Sequence, residues 1–265
     1  MTTLESTRAG SRNLFSPFSD TAVLTRRNLL HVRSDPAQLI AITVQPLVFL
    51  LLFVSVFGGA VSGSSRAYLQ FALPGFLVQA AVFTGMQTAV GLSSDFQQGL
   101  IGRFRAMPMS GWAVVASRIV ADVVRMAFGA AIVLGAGVLF GFRFHGGPGA
   151  AVGALLLVLL FGFAMCWPMA LLGITARSAE SAQEFAFLIV LPVTFLTSMF
   201  VAPELMPAWL RAVANANPVT AAVDAVRGLM LGRPVGGAVT ATVAWAAAIT
   251  VVFSALVVLR YRRQA

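Results

Sequence analysis

The sequence of 265 residues contains no lysine, and all 18 of its basic residues are arginine. The phosphate-binding loop of nucleoside triphosphatases requires a lysine that reaches the β- and γ-phosphates of the nucleotide. A chain without lysine cannot form that loop. The sequence therefore excludes a self-powered ATPase of this kind.

Residues that build reactive or metal-binding sites are also scarce. The one cysteine, Cys166, lies in an apolar run, so no disulfide framework exists and a buried thiol is expected. The two histidines, His31 and His145, lie on opposite sides of the membrane in the topology predicted below, and no two carboxylates share a long apolar run. We therefore expect neither catalysis nor a metal site on this chain.

Charged residues make up only 10% of the chain and hydrophobic residues 58%, whereas about 25% of residues are charged in ordinary soluble domains. A helix needs roughly 20 mostly apolar residues to cross a bilayer, with about 17 as the lower limit. Six windows free of charge reach that length: 36–65, 67–94, 126–142, 144–176, 185–203 and 234–259. The sequence predicts an all-α polytopic membrane protein with spans at about 37–60, 69–92, 112–140, 151–175, 185–201 and 236–259.

The positions of the arginines predict how six spans are oriented, because cytoplasmic loops carry an excess of basic residues. An even number of spans places both termini on one side. The arginines on that side are Arg8, Arg12, Arg26, Arg27, Arg33, Arg103, Arg105, Arg118, Arg177, Arg260, Arg262 and Arg263; those on the other are Arg66, Arg143, Arg211, Arg227 and Arg233. Both termini are therefore predicted to be cytoplasmic. A topological origin of the basic charge is also favoured over nucleic-acid binding.

The polar N-terminal region divides into two predicted parts. Residues 1–16 are expected to be disordered, and no signal peptide with a short apolar core is evident. Residues 17–34 are typical of a helix on the cytoplasmic membrane surface, with Ser34-Asp35-Pro36 capping the first span. Residues 36–260 then form a single transmembrane domain.

A polar segment, SSDFQQGLIGRFRAMPMSGW, interrupts the apolar runs at residues 93–112. Asp95 is a candidate N-cap, and Pro108 would end a helix over 95–107. One face of that helix is apolar, with Phe96, Leu100, Phe104 and Met107. The pattern alone is compatible both with a helix that floats at the interface and with one that docks on a soluble partner.

The third predicted span carries Arg118, Asp122 and Arg125 near its inner end. Spacings of four and three residues place them on one helix face, where Asp122 can pair with either arginine. The triplet is either a self-neutralised helix end or a device that couples movement in the cytoplasm to a transport pathway.

The segment before the last span, residues 203–232, is too broken to cross a membrane. Pro207 is predicted to open one short helix that Asn217-Pro218 breaks, and a second helix is predicted from Pro218 to Leu231. Asp224 and Arg227 can pair on the second helix. The segment is either an external re-entrant hairpin, buried in protein, or a loop on the outer surface.

Two stretches resemble the ABC-2 type permeases, and in particular their daunorubicin-resistance branch. The first, DFQQGLIGRFRAMPMSGWAVVASRIVADVVR, matches at Asp95, Gly99, Leu100, Arg103, Phe104, Arg105, Pro108, Ala121 and Asp122. The second, MPAWLRAVANANPVTAAVDAVRGLMLG, matches at Asn217-Pro218-Val219-Thr220 and Arg227-Gly228. The six-span layout agrees, so the resemblance covers nearly the whole chain. One departure is Ser117, where relatives often carry glycine.

The resemblance implies the transmembrane half of an ATP-driven exporter in a bacterial plasma membrane, with the fold of type V exporters. Such permeases move hydrophobic or amphipathic molecules, drugs or lipid-like metabolites, and can confer antibiotic resistance. The chain itself would hold no cofactor. ATP and Mg²⁺ would be bound by two copies of a separate P-loop ATPase, and a second permease chain, a copy or a sister, would complete the unit. The ATPase would dock on Asp95, Phe96, Gly99, Leu100, Arg103, Phe104, Arg105, Met107 and Pro108.

The pathway for the transported molecule is expected along spans one, two and five. Aromatic and methionine side chains suit loosely specified apolar ligands, and the candidate residues are Gln45, Gln79, Thr84, Gln87, Thr194, Phe195 and Met199. Three alternatives stay open: a polysaccharide or teichoic-acid exporter of the same family, an ion-gradient-driven secondary transporter, and a non-transporting membrane scaffold.

Overall fold

A computed structural model describes residues 36–98, 111–201 and 203–263. These residues form eight α-helices and no β-strand, which confirms the all-helical prediction. The helices are α1 (Pro36–Ser62), α2 (Ser65–Gln97), α3 (Gly111–Leu139), α4 (Gly147–Thr175), α5 (Ala179–Phe195), α6 (Ala208–Ala216), α7 (Pro218–Leu231) and α8 (Ala238–Arg263), with a 3₁₀ turn at Pro203–Leu205. The predicted surface helix at 17–34 and most of the predicted helix at 95–107 lie outside the described residues.

Four helices are long and apolar enough to cross a membrane, namely α2, α3, α4 and α8. A shorter apolar stretch, Val44–Gly59, lies within α1, and α5 has 17 residues. Large apolar side chains such as Leu188 and Val251 remain exposed on these helices, as expected where lipid replaces water. The chain is therefore a multi-pass helical membrane protein.

Helix α2 is the centre of the bundle and packs against α1, α3, α4, α5 and α7. Most of its side chains are buried, among them Tyr68 and Phe76. Its contact with α4 is close because Gly173 has no side chain: a Cβ atom there would lie 2.5 Å from the carbonyl oxygen of Ala89. Small residues at such crossings let two helix backbones approach within a membrane.

The prediction that Asp95 caps the start of a separate helix is wrong. Asp95 lies inside α2, whose last helical residue is Gln97. The polar end of the helix is satisfied locally, because the Gln98 backbone N–H donates to the Ser94 carbonyl at 3.0 Å and the Gln98 amide donates to the Ser94 hydroxyl at 3.0 Å. Asp95 also gains an arginine partner from α3, described below.

Helix α5 begins at Ala179 and ends at Phe195, whereas a span over 185–201 was predicted. Ser178 starts the helix with a reciprocal capping box, in which the hydroxyls of Ser178 and Ser181 accept from each other's backbone N–H groups at 3.0 and 2.9 Å. The prediction missed the start at Ala179 because it required an uncharged window, and Glu180 and Glu184 lie in the first turns of the helix. Residues 196–201 are no longer helical, and the Ser198 hydroxyl donates to Asp224 of α7 at 2.7 Å.

The two short helices predicted before the last span are confirmed as α6 and α7. Asn217 separates them, with Pro218 as the first residue of α7. Helix α7 ends at Leu231 and is followed by Gly232, whose φ of 64° lies in the left-handed region that favours glycine. Local turn chemistry therefore delimits α7 at both ends.

Candidate functional site

A cavity of about 180 Å³ lies between α1, α2 and α5. Its walls combine aromatic rings with side-chain amides, and none of the residues that line it is charged. The lining residues are Gln45, Pro46, Phe49, Gln79, Ala80, Phe83, Thr84, Met86, Gln87, Val90, Gln183 and Phe187. An apolar pocket with a few polar groups is the usual form of a small-molecule site.

Four of the predicted pathway residues meet at this cavity: Gln45, Gln79, Thr84 and Gln87. Sequence reasoning missed the three phenylalanines and Gln183, which also line it. Glutamines recurring on three apolar helices were the available signal. Phenylalanine gave none, because 21 are spread over the chain and most face lipid or core in such a protein.

The other three predicted pathway residues lie away from the cavity, at the end of α5. The hydroxyl of Thr194 donates to the Val190 carbonyl at 2.8 Å. Phe195 packs on Phe200 with ring centroids 5.0 Å apart. Met199 is fully buried against α2. In this structure all three therefore contribute to packing around the end of α5.

A buried group of charges, formed by Arg118, Asp122 and Arg125 of α3, lies beside α2. Asp122 is fully buried, and its Oδ1 accepts a hydrogen bond from Nη1 of Arg125. Its Oδ2 accepts from the Thr88 hydroxyl at 2.7 Å and lies 3.6 Å from Nε of Arg118. The predicted pairing of Asp122 with either arginine is confirmed, and Thr88 is a partner that the sequence did not indicate.

Arg118 contacts α2 at two positions, one near the end of the helix and one about two turns earlier. Its Nη1 lies 3.7 Å from Oδ2 of Asp95, near the helix end, and its Nη2 donates to the Gln87 carbonyl at 3.4 Å. Gly91 leaves the space for the guanidinium, since a Cβ atom there would lie 1.6 Å from Nη2. Arg118 thus connects the end of α2 with a residue that lines the cavity.

A second polar group joins α7 to the end of α5. The Asn217 amide donates to the carbonyls of Val193 and Leu196 at 2.7 and 2.9 Å, while its oxygen accepts from the Val219 backbone N–H at 2.9 Å. One side chain therefore caps α7 and satisfies carbonyls at the end of α5.

Arg227 is the centre of this group. Its Nε donates to the Phe71 carbonyl of α2 at 3.0 Å, its Nη2 to the Ser198 carbonyl at 2.9 Å, and its Nη1 to Asp224 at 2.9 Å. The guanidinium also stacks on the Phe71 ring at 4.0 Å. The predicted Asp224–Arg227 pair is confirmed. Burial lowers the pKa of Arg227 to about 10, against the opposing effect of Asp224, so the guanidinium stays protonated near neutral pH.

Of the predicted docking residues, Asp95 and Phe96 lie in the last turns of α2. Gly99, Leu100, Arg103, Phe104, Arg105, Met107 and Pro108 lie outside the described residues. In the described part of the chain, no three acidic, histidine or cysteine side chains come together as a metal site.

Comparison with known proteins gives the class of this polytopic helical protein. The family model of the ABC-2 type transporter matches residues 19–231. A daunorubicin resistance ABC transporter permease of Streptomyces coeruleorubidus is 37% identical over 238 residues, which are 90% of this chain and 84% of the relative. A doxorubicin resistance ABC transporter permease of Mycobacterium tuberculosis is 30% identical over 144 residues, about half of each chain.

The match covers far more than half of the sequence, and the first relative is similar along most of its length. This chain belongs to the ABC-2 type transporter family. The relatives are transport permeases by name, which agrees with the absence of a P-loop from this sequence.

Proposed function

We propose that the chain is the permease subunit of an ATP-binding-cassette exporter, which moves hydrophobic or amphipathic small molecules out of the cytoplasm or the inner leaflet. The observation that carries the proposal is the cavity between α1, α2 and α5, whose uncharged wall of phenylalanines and glutamines suits such molecules. The drug-resistance names of similar permeases support the same substrate class.

In this proposal the six spans are α1 to α5 and α8, with both termini in the cytoplasm of a bacterial cell. Residues 203–232 form the external re-entrant segment. The arginine distribution supports this orientation. The contacts of α7 with α2, α4 and α8 support burial of α7 in protein, where irregular backbone is tolerated at membrane depth.

The energy would come from two copies of a separate P-loop ATPase, which bind ATP and Mg²⁺. They would dock on residues 95–107, next to the helix at 17–34, and a second permease chain would complete the pathway. The absence of lysine from this chain supports the proposal that a separate chain hydrolyses ATP. Asp95 and Phe96 would transmit force directly, because they belong to α2.

The contacts of Arg118 support a route from the docking segment to the cavity. Asp95, at one end of that route, adjoins the docking segment, and Gln87, at the other, lines the cavity. We propose that Arg118 makes α2 and α3 move as one body when the ATPases close.

Two glycines provide a matched test of this role. In Gly91→Ala the new Cβ displaces the Arg118 guanidinium from α2, so we expect ATP-driven transport to fall several-fold and the free energy of unfolding by about 1 kcal/mol. Gly135→Ala is the control, because a Cβ at Gly135 meets no atom within 4 Å. It should keep transport and should not lower stability, because alanine in a helix interior is favoured over glycine by up to about 1 kcal/mol. Equal behaviour of the two variants in transport assays and thermal unfolding would argue against the route.

The docking assignment predicts that Phe104→Asp and Arg103→Glu each weaken binding of the ATPase at least about fivefold, because interface anchors contribute more than 1 kcal/mol. Binding is measured by co-purification at graded ATPase concentrations, and elution of the permease as a single symmetric peak shows that it is folded. Unchanged binding and transport in both variants would remove the assignment.

The proposed function is tested in inverted bacterial membrane vesicles that contain the permease and its ATPase, with daunorubicin as the probe. We expect ATP-dependent uptake, which Ala80→Trp abolishes by filling the cavity. Uptake driven by a proton gradient without ATP would instead establish a secondary transporter. Accumulation of a polysaccharide with no drug uptake would establish the polymer exporter of the same family.

A further inference from the structure

Gln79 is the most deeply buried of the four glutamines that line the cavity. Only 5% of its surface is exposed, and among the described residues its side-chain amide has no hydrogen-bond partner. The nearby Thr84 differs, since its hydroxyl donates to the Ala80 carbonyl at 2.8 Å. The Gln79 amide is thus available for hydrogen bonds with water or a ligand in the cavity.

The surroundings of Gln79 define what could satisfy it. Phe49, Phe83 and Phe187 supply flat apolar faces, which favour stacking on aromatic rings. None of the residues that line the cavity is charged, so Gln79 is suited to an uncharged hydrogen-bonding group of the ligand. Glu180 and Glu184 line an adjoining groove on α5, which shares Gln183 and Phe187 with the cavity.

We propose that Gln79 is a specificity-determining residue, which selects flat aromatic molecules that bear an uncharged hydrogen-bonding group such as a hydroxyl. The inference rests on the proposed function, since it takes the cavity as the binding site of the transported molecule. A ligand without such a group displaces water from Gln79 without replacing its hydrogen bonds, and therefore loses affinity.

Two probes of nearly equal shape test the role of Gln79: 9-anthracenemethanol, and 9-methylanthracene, which lacks only the hydroxyl oxygen. Binding to the full chain in lipid nanodiscs is followed by energy transfer from tryptophan to anthracene, with empty nanodiscs correcting for partition into lipid. We expect the wild type to bind the alcohol about tenfold more tightly. Gln79→Leu should reduce this preference to about one without weakening the binding of 9-methylanthracene.

Gln183→Leu is the matched control, because Gln183 lines the same cavity but is exposed. It should keep the preference for the alcohol. Gln79→Met, which conserves the shape of the side chain, replaces Gln79→Leu if that variant does not fold. Ala80→Phe occupies the cavity and should abolish binding of both probes.

The outcomes separate this inference from the proposed function. If wild type and Gln79→Leu bind both probes equally while Ala80→Phe abolishes binding, the role of Gln79 is overturned and the cavity stands as the binding site. If Ala80→Phe binds both probes like the wild type, the cavity is not their site and both proposals fall. Loss of the preference in Gln79→Leu alone supports the inference.

Discussion

Asp122→Leu is expected to lower the free energy of unfolding by about 3–5 kcal/mol, since removing one partner of a buried ion pair leaves charge uncompensated. Asp122 is fully buried and is the shared partner of Arg118 and Arg125. The substitution leaves both guanidinium groups without it, and Thr88 loses its acceptor as well. For a chain of this size the thermal midpoint in detergent should fall by roughly 10 °C.

The control for this prediction replaces the whole group of charges. A triple variant, Arg118→Met with Asp122→Leu and Arg125→Met, leaves no buried charge in this group and should recover most of the lost stability. Asp95, the remaining partner, is partly exposed and can be hydrated. If the triple variant is less stable than Asp122→Leu alone, the group is a source of stability rather than a balanced set of charges. The triple variant should still transport poorly, because the contact between Arg118 and α2 is gone.

Arg227→Met is expected to cost about 3 kcal/mol or more, because hydrogen bonds from a charged donor contribute about 1.5–3 kcal/mol each. The buried guanidinium joins α2, the turn after α5, and α7 through the carbonyls of Phe71 and Ser198 and the carboxylate of Asp224. Arg227→Lys keeps the charge but lacks the planar fork that reaches all three acceptors. It should recover only part of the loss. Thermal unfolding in detergent measures the loss, and hydrogen exchange in α7 should rise with it.

Arg211 provides the control for Arg227. Its guanidinium also donates to three carbonyls, those of Pro203, Glu204 and Met206, but Arg211 is exposed. Water can replace its contacts, so Arg211→Met should cost less than about 1 kcal/mol. Similar losses in Arg211→Met and Arg227→Met would contradict the role assigned to burial.

The parts of the fold that could be predicted from sequence are those that local chemistry determines. Asn217-Pro218 marked the start of α7 because a cap and a first-turn proline each act over a few residues. The pairs on one helix face, Asp122 with its arginines and Asp224 with Arg227, followed from spacing alone. Long apolar runs placed the four helices that satisfy the length and hydropathy of a membrane span.

The parts that could not be predicted depend on contacts between helices. Asp95 lies inside α2, and its arginine partner belongs to α3, so no signal within 93–112 could reveal it. The cavity combines side chains of α1, α2 and α5, and only packing decides that Gln183 joins it while Met199 does not. The space that Gly91 leaves for Arg118 likewise requires the register of two helices, which one sequence does not contain.

The most direct test of the central claim is to purify the chain gently from its native membranes and to identify the co-purifying proteins by mass spectrometry. We expect a soluble protein with a P-loop, in stoichiometric amount, and two permease chains in each complex. Recovery of the permease without any P-loop protein, together with drug transport that runs on an ion gradient alone, would contradict the account.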